Sequence, residues 1–167
     1  MGNLRRVGGL GGLVMVLVAV GLSSGGQAAT TSGGGNTYVM ASEYIKGFGT
    51  TDTTVAQKKP KKYYVGTQGA TFINAKLDRF KRWGTPTTRA KAKKLTICDP
   101  SQLDSCSTTK KGSKVIFKKP KSLTCDVKGQ MRRVTLYTQV TAKQPKHKGY
   151  KKGRSLGTIF AKRCPQF

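Results

Sequence analysis

The four cysteines, Cys98, Cys106, Cys125 and Cys164, all lie within residues 98–167 of a 167-residue chain, so any covalent framework is confined to the C-terminal part. The spacing is x7, x18 and x38, with no Cys-x2-Cys pair and no histidine beside any of them, which disfavours a zinc site. An even number of cysteines behind a leader-like N-terminus points to two disulfides and an oxidising compartment. Three pairings are possible. The expected one is Cys98–Cys106, closing a loop around Asp99-Pro100 and Asp104, with Cys125–Cys164 tying an internal strand to the C-terminal one.

The leader is read from Arg5 and Arg6, an uncharged stretch from Val7 to Leu22, and a small-residue exit through Ser23, Ser24, Gly25, Gly26, Gln27 and Ala28. A basic start, an apolar middle shorter than a membrane span and small residues at the exit are the parts of a secretory signal peptide, here residues 1–28. The protein is therefore expected to be secreted, with no transmembrane span after cleavage. Thr, Gly and Ser dominate the stretch that follows, which ends in Lys58-Lys59-Pro60-Lys61-Lys62; with only a thin apolar pattern at Tyr38, Val39, Tyr44, Ile45 and Phe48, residues 29–62 are expected to form a flexible arm with at most one weak strand or turn.

From Tyr63 onward short apolar runs alternate with Gly, Pro and Lys clusters, and residues 63–167 form the expected domain. Tyr63–Val65, Ala70–Ile73, Lys94–Cys98, Lys114–Lys118, Ser122–Val127, Arg133–Thr141 and Leu156–Arg163 read as strands. Leu77, Phe80 and Trp83 fall at i, i+3 and i+6, which predicts one short helix over Ala75–Trp83 ending at Gly84. Between Thr141 and Arg154 the sequence has no apolar period and is expected to be a long exposed hairpin loop. The fold class is thus mostly β: a small antiparallel sheet or sandwich with at most one short helix, stapled by disulfides, behind a signal peptide and an arm.

The charge balance selects among functions. Lys and Arg number 32 against 6 Asp and Glu, a formal net charge of +26, and the cations are spread along the chain. Lysines at strand edges prevent aggregation and high charge aids solubility, but an excess this large works against a compact state and points to an anionic polymer or surface as partner. Wall polymer, glycan, lipid and nucleic acid are not distinguished by Coulomb attraction alone. The residues singled out for such contact are Lys81, Arg82 and Trp83, and Lys148, Tyr150, Lys151, Lys152 and Arg154 in the long loop, where cations adjoin aromatics able to stack. No cofactor or metal is expected, and the chain is expected to be a monomer.

Catalysis is disfavoured for want of parts. Glu43, the single glutamate, falls in the arm, and the single histidine, His147, falls among loop lysines. That pair is the only material for a ribonuclease-type base and acid, and neither has the rigid setting such chemistry needs. No G-x-S-x-G turn is present for a serine nucleophile.

Leu95-Thr96-Ile97-Cys98, Cys106, Leu123-Thr124-Cys125, a Val-rich strand, a basic turn and Phe160-Ala161-Lys162-Arg163-Cys164 together resemble the secreted subtilisin-inhibitor-like family. The resemblance covers roughly residues 94–164 and implies pairing of the first cysteine with the second and the third with the fourth, on a sheet packed with helices. The first spacing is shorter than that family's and no segment matches its reactive loop, so no inhibitory residue carries over. A protein-binding module such as a protease inhibitor is the alternative function.

Overall fold

A computed structural model of the chain describes residues 35–45, 49–66, 71–99, 101, 106–146 and 153–167. The expected signal peptide, residues 1–28, lies outside them. Nine strands are described: β1 (Thr37–Ile45), β2 (Gly49–Gln57), β3 (Lys62–Val65), β4 (Phe72–Lys81), β5 (Thr87–Cys98), β6 (Cys106–Thr109), β7 (Ser113–Val127), β8 (Gln130–Lys143) and β9 (Ser155–Ile159). They form one sheet in the order β2-β1-β8-β7-β5-β4-β3, with β6 on β5 and β9 on β8. All neighbours are antiparallel except β1 and β8, which run parallel through Thr37–Thr135, Tyr38–Leu136 and Val39–Tyr137.

Two long strands each divide an edge between two partners. One edge of β5 takes β7 along Thr87–Ala92 and β6 along Leu95–Cys98. One edge of β8 takes β1 along Thr135–Tyr137 and β9 along Gln139–Lys143. This division explains how Pro120 sits inside a strand. β5 ends its pairing with β7 at Lys118, so at Pro120 no strand on that side needs the N–H that proline lacks. Lys119, with φ at 53°, bends the strand there, and its carbonyl accepts from the Thr138 hydroxyl at 2.9 Å. Lys114–Lys118 and Ser122–Val127, expected as two strands, are instead parts of one strand bent at Lys119.

The sheet curls around a core made of Val39, Ala41, Tyr63, Val65, Ile73, Ala75, Leu77, Ala90, Ala92, Leu95, Ile97, Val115, Phe117, Tyr137, Val140 and Ala142. β3 returns against β1 through side chains: the Tyr63 hydroxyl donates to the Met40 carbonyl at 2.8 Å and the Gly66 amide to the Ser42 hydroxyl at 3.0 Å. Complete burial pushes the Tyr63 phenol well above its ordinary titration range. On the other side of β1 and β8, Met40, Cys125, Val134 and Leu136 make a second cluster, joined by Tyr38, Leu123, Val127, Phe160 and Phe167. The chain end lies across it as a strap. Gln166 exchanges backbone bonds with Thr54 and Ala56 at 2.9 and 2.7 Å, and Phe167 meets Tyr38 edge-on.

Both disulfides have the expected pairing. Cys98–Cys106 joins directly opposed positions of β5 and β6, and Cys125–Cys164 fastens the strap to β7.

Two expectations are corrected. Residues 37–57, read as part of a flexible arm, supply β1 and β2, and Val39, Met40 and Ala41 are fully buried because β1 is packed on both faces. The helix over Ala75–Trp83 is absent, and no helix occurs among the described residues; β4 runs through Lys81. Its register shifts between Leu77, opposite Ala92, and Phe80, opposite Ala90, so a bulge at Asp78 and Arg79 returns two apolar residues three apart to one face.

Candidate functional site

Inward positions on five neighbouring strands fix where the intervening side chains go, since successive strand residues face opposite ways. With Tyr63, Ala75, Leu77, Ala90, Ala92, Leu95, Val115 and Ala142 in the core, Lys62, Lys76, Lys94, Lys91, Lys114 and Lys143 are turned to the outside, and all six are exposed. The register sets them directly against one another. Lys62 opposes Lys76, which opposes Lys94, across β3, β4 and β5. Lys91 opposes Lys114, which opposes Lys143, across β5, β7 and β8. A further opposed pair, Lys81 with Arg89, lies beside them on β4 and β5.

Opposed Cβ atoms stand about 5 Å apart, and like charges in such positions are destabilising by roughly 0.2–1 kcal/mol each. The described carboxylates do little to offset this. The one ion pair recorded between described residues joins Asp78 to Lys93 at 3.3 Å in the β4–β5 bulge region. Glu43 accepts from the Thr51 hydroxyl at 3.2 Å, Asp99 from the Ser101 amide and hydroxyl at 3.1 and 2.6 Å, and Asp126 from the Gly129 amide at 2.6 Å in the β7–β8 turn. Three carboxylates thus organise strand ends and turns, away from the lysine rows.

A consequence is measurable on the free protein. Lys76 faces a lysine on each side, so Lys76→Gln is expected to raise stability by about 1 kcal/mol at low ionic strength. Urea unfolding should show the gain shrinking toward zero near 1 M salt, where the screening length falls to about 3 Å.

Of the residues singled out from the sequence, Lys81, Arg82, Trp83 and Arg154 are described. Lys81 is exposed at the end of β4 and belongs to the outer face. Arg82 is exposed with φ at 57°, and its carbonyl accepts from the Thr85 and Thr88 hydroxyls at 2.9 and 2.7 Å. Trp83 is half-buried against the main core, edge-on to Phe80 at 5.2 Å and near Tyr137 at 6.0 Å, with the Lys59 ammonium 5.9 Å from its ring. These contacts engage its ring with the protein itself. Lys148, Tyr150, Lys151 and Lys152 lie outside the described residues, as does His147.

Arg154, expected as an exposed loop cation, is corrected: it is buried, 6% exposed, at the base of the β8–β9 connection. Its carbonyl accepts from the Gln144 amide at 2.8 Å, and the Gln144 side chain donates to the Leu95 and Ser107 carbonyls, each at 2.9 Å. Gly153, with φ at 71°, lies where a Cβ would stand 2.6 Å from the Gln144 carbonyl oxygen, so the chain can pass this close only as glycine.

The lysine rows were missed as strand faces, although a signal was present. Arg89-Ala90-Lys91-Ala92-Lys93 alternates cation and alanine with a period of two, the pattern of a half-buried strand, whereas cation density alone suggests a turn. No cluster of three potential metal-ligating side chains occurs among the described residues, and no helix among them is long and apolar enough to cross a membrane. Comparison with protein-family models, curated proteins and solved structures finds no match for this chain.

Proposed function

We propose that the protein is exported and binds anionic polymers or surfaces, without catalysis, through the lysine rows on the outer face of β3, β4, β5, β7 and β8. The observation that carries this reading is the direct opposition of Lys62, Lys76 and Lys94, and of Lys91, Lys114 and Lys143. A merely soluble protein gains nothing from placing like charges at the shortest cross-strand distance. A polyanion laid on them converts that repulsion into attraction and releases its own counterions. Export is supported by the leader-like start and by two disulfides that leave no free cysteine among the described residues.

The protein is expected to be retained on a polyanion matrix at low salt and to elute as salt rises. Lys76→Gln combined with Lys114→Gln is expected to elute at distinctly lower salt, with the fold intact by circular dichroism. Neutralising Lys148, Lys151 and Lys152 together measures what the long loop adds. Passage through every such matrix at low salt overturns the reading. The alternative, a protein-binding module such as a protease inhibitor, draws on the pairing of first cysteine with second and third with fourth. Salt-resistant inhibition of a protease would favour it instead.

A further inference from the structure

We propose that the polyanion is a flexible linear phosphate polymer that wraps around the curl of the sheet, across the strands, along a band running from Lys62 to Lys143. The proposal rests on the polyanion-binding reading above and specifies which class of polyanion the face accepts.

The direction of the band comes from the register. β8, β7, β5, β4 and β3 are consecutive in the sheet, and the opposed lysines step from each to the next: Lys143, Lys114 and Lys91, then Lys94, Lys76 and Lys62. The two halves meet on β5, where Lys91 and Lys94 flank Ala92 and Lys93. Four strand-to-strand steps of about 4.8 Å, with a three-residue offset of about 10 Å along β5 between Lys91 and Lys94, give a track of roughly 29 Å. A ligand that follows it runs across the strands with one step along β5, and the strands themselves hold the spacing of its cationic contacts.

Its curvature excludes stiff and flat partners. The core lies on the opposite face of the same five strands, and β3 comes back to β1 through Tyr63–Met40, Gly66–Ser42 and the stacked Tyr44 and Tyr64 rings at 4.4 Å. The lysine face is therefore the convex side, and its cations splay outward. A planar bilayer touches the lysines of only some of these strands at once. A nucleic-acid duplex has a persistence length near 50 nm, and bending 20–30 base pairs by 40–90° costs on the order of 1–6 kcal/mol. A single flexible chain follows the curve at little cost and reaches all six lysines.

Charge is also the only property this band reads. Asn74, Thr96, Gln139 and Thr141 share the outward side and are half-buried, and Ile116 is buried. Tyr64, the outward aromatic on β3, is committed to its stack with Tyr44. Among the described residues no free aromatic platform stands beside the lysines, so base identity has little to stack on. Lysine supplies point charges suited to a repeating phosphate backbone rather than to a two-pronged fit.

The test compares four probes at equal phosphate concentration and one salt concentration, by fluorescence anisotropy or calorimetry. They are inorganic polyphosphate in graded lengths, single-stranded oligothymidylate, duplex DNA, and vesicles containing phosphatidylglycerol. Both flexible chains are expected to bind at least tenfold more tightly than the duplex or the vesicles. Polyphosphate affinity should rise with length and level off once the chain spans the band. Replacing Lys76, Lys91, Lys94 and Lys114 with Gln should weaken polyphosphate binding tenfold or more. The same changes should reduce the salt slope for oligothymidylate by about 3, from the ~0.7 counterions released per neutralised phosphate of a single strand. The same charge change at the far end of β7 and β8, by Lys121→Gln, Lys128→Gln, Arg132→Gln and Arg133→Gln, should alter binding by less than twofold. Equal or tighter binding of duplex or vesicles, or an equal loss in the far-end variant, overturns the wrapped-band proposal and leaves polyanion binding standing. Failure of all four probes to bind at low salt overturns the polyanion reading itself.

Discussion

Replacing Cys125 and Cys164 together with alanine is expected to cost about 4 kcal/mol, the loop-closure contribution of a cross-link between residues 39 apart. For a domain of this size, that corresponds to a fall in Tm on the order of 10–20 °C. The bond does more than close a loop. It holds the strap that covers Met40, Val134 and Leu136 and that adds Gln166 to the exposed side of β2. Hydrogen exchange should therefore show the amides of Ala56 and Gln166 losing protection first in the double variant, below the temperature at which the β5 and β7 amides exchange. An unchanged Tm would mean that the Gln166 backbone bonds and the packing of Phe160 and Phe167 hold the strap without the disulfide.

Phe117→Ala is expected to destabilise by about 3–5 kcal/mol, the range for deleting a large ring from a close-packed core. Phe117 is 1% exposed and lies where the curl is most crowded with rings. It meets Tyr63 edge-on at 5.2 Å, and Phe80 and Tyr137 at 6.3 and 6.2 Å. The two tyrosines are not free to fill the space. The Tyr63 hydroxyl is held by the Met40 carbonyl, and the Tyr137 hydroxyl donates to the Thr85 carbonyl at 2.7 Å while accepting from the Gly84 amide at 3.1 Å. Denaturant unfolding measures the loss, and Ile159→Ala, at a side chain 74% exposed, should change stability by less than about 0.5 kcal/mol. Against a typical net stability of about 5–15 kcal/mol, loss of either the Cys125–Cys164 bond or the Phe117 ring removes a large share of what holds a chain this highly charged together.

Much of the covalent and chain-level plan was legible from residue types. The cysteine spacing led to the observed pairing, and the Val-, Thr- and Tyr-rich runs led to β structure. The errors have local physical causes. The i, i+3 spacing of Leu77 and Phe80 belongs to a strand with a bulge, where an extra residue imitates a helical period, and Trp83 follows in the turn beyond the strand end. β1 carries consecutive buried residues because it is covered on two faces, and Thr-rich β2 gains its place through backbone pairing to β1, which composition alone does not reveal. The outer lysine rows depend on register between strands far apart in sequence, such as Lys62 with Lys76 and Lys114 with Lys143, and no single segment contains that information. Arg154 is buried because Gln144 anchors the base of its connection, a contact set by β5 and β6 rather than by the loop.

The parallel ladder between β1 and β8 also governs timing. Thr37 cannot pair with Thr135 until the chain has been made through β8, so the β8-facing edge of β1 stays open while β2 to β7 are made. Topologies dominated by such distant partners mature in milliseconds to seconds rather than microseconds. During that interval the nascent β1 offers an unshielded apolar ribbon, and the crowd of ammonium groups elsewhere on the chain keeps neighbouring copies at a distance until the last strands arrive.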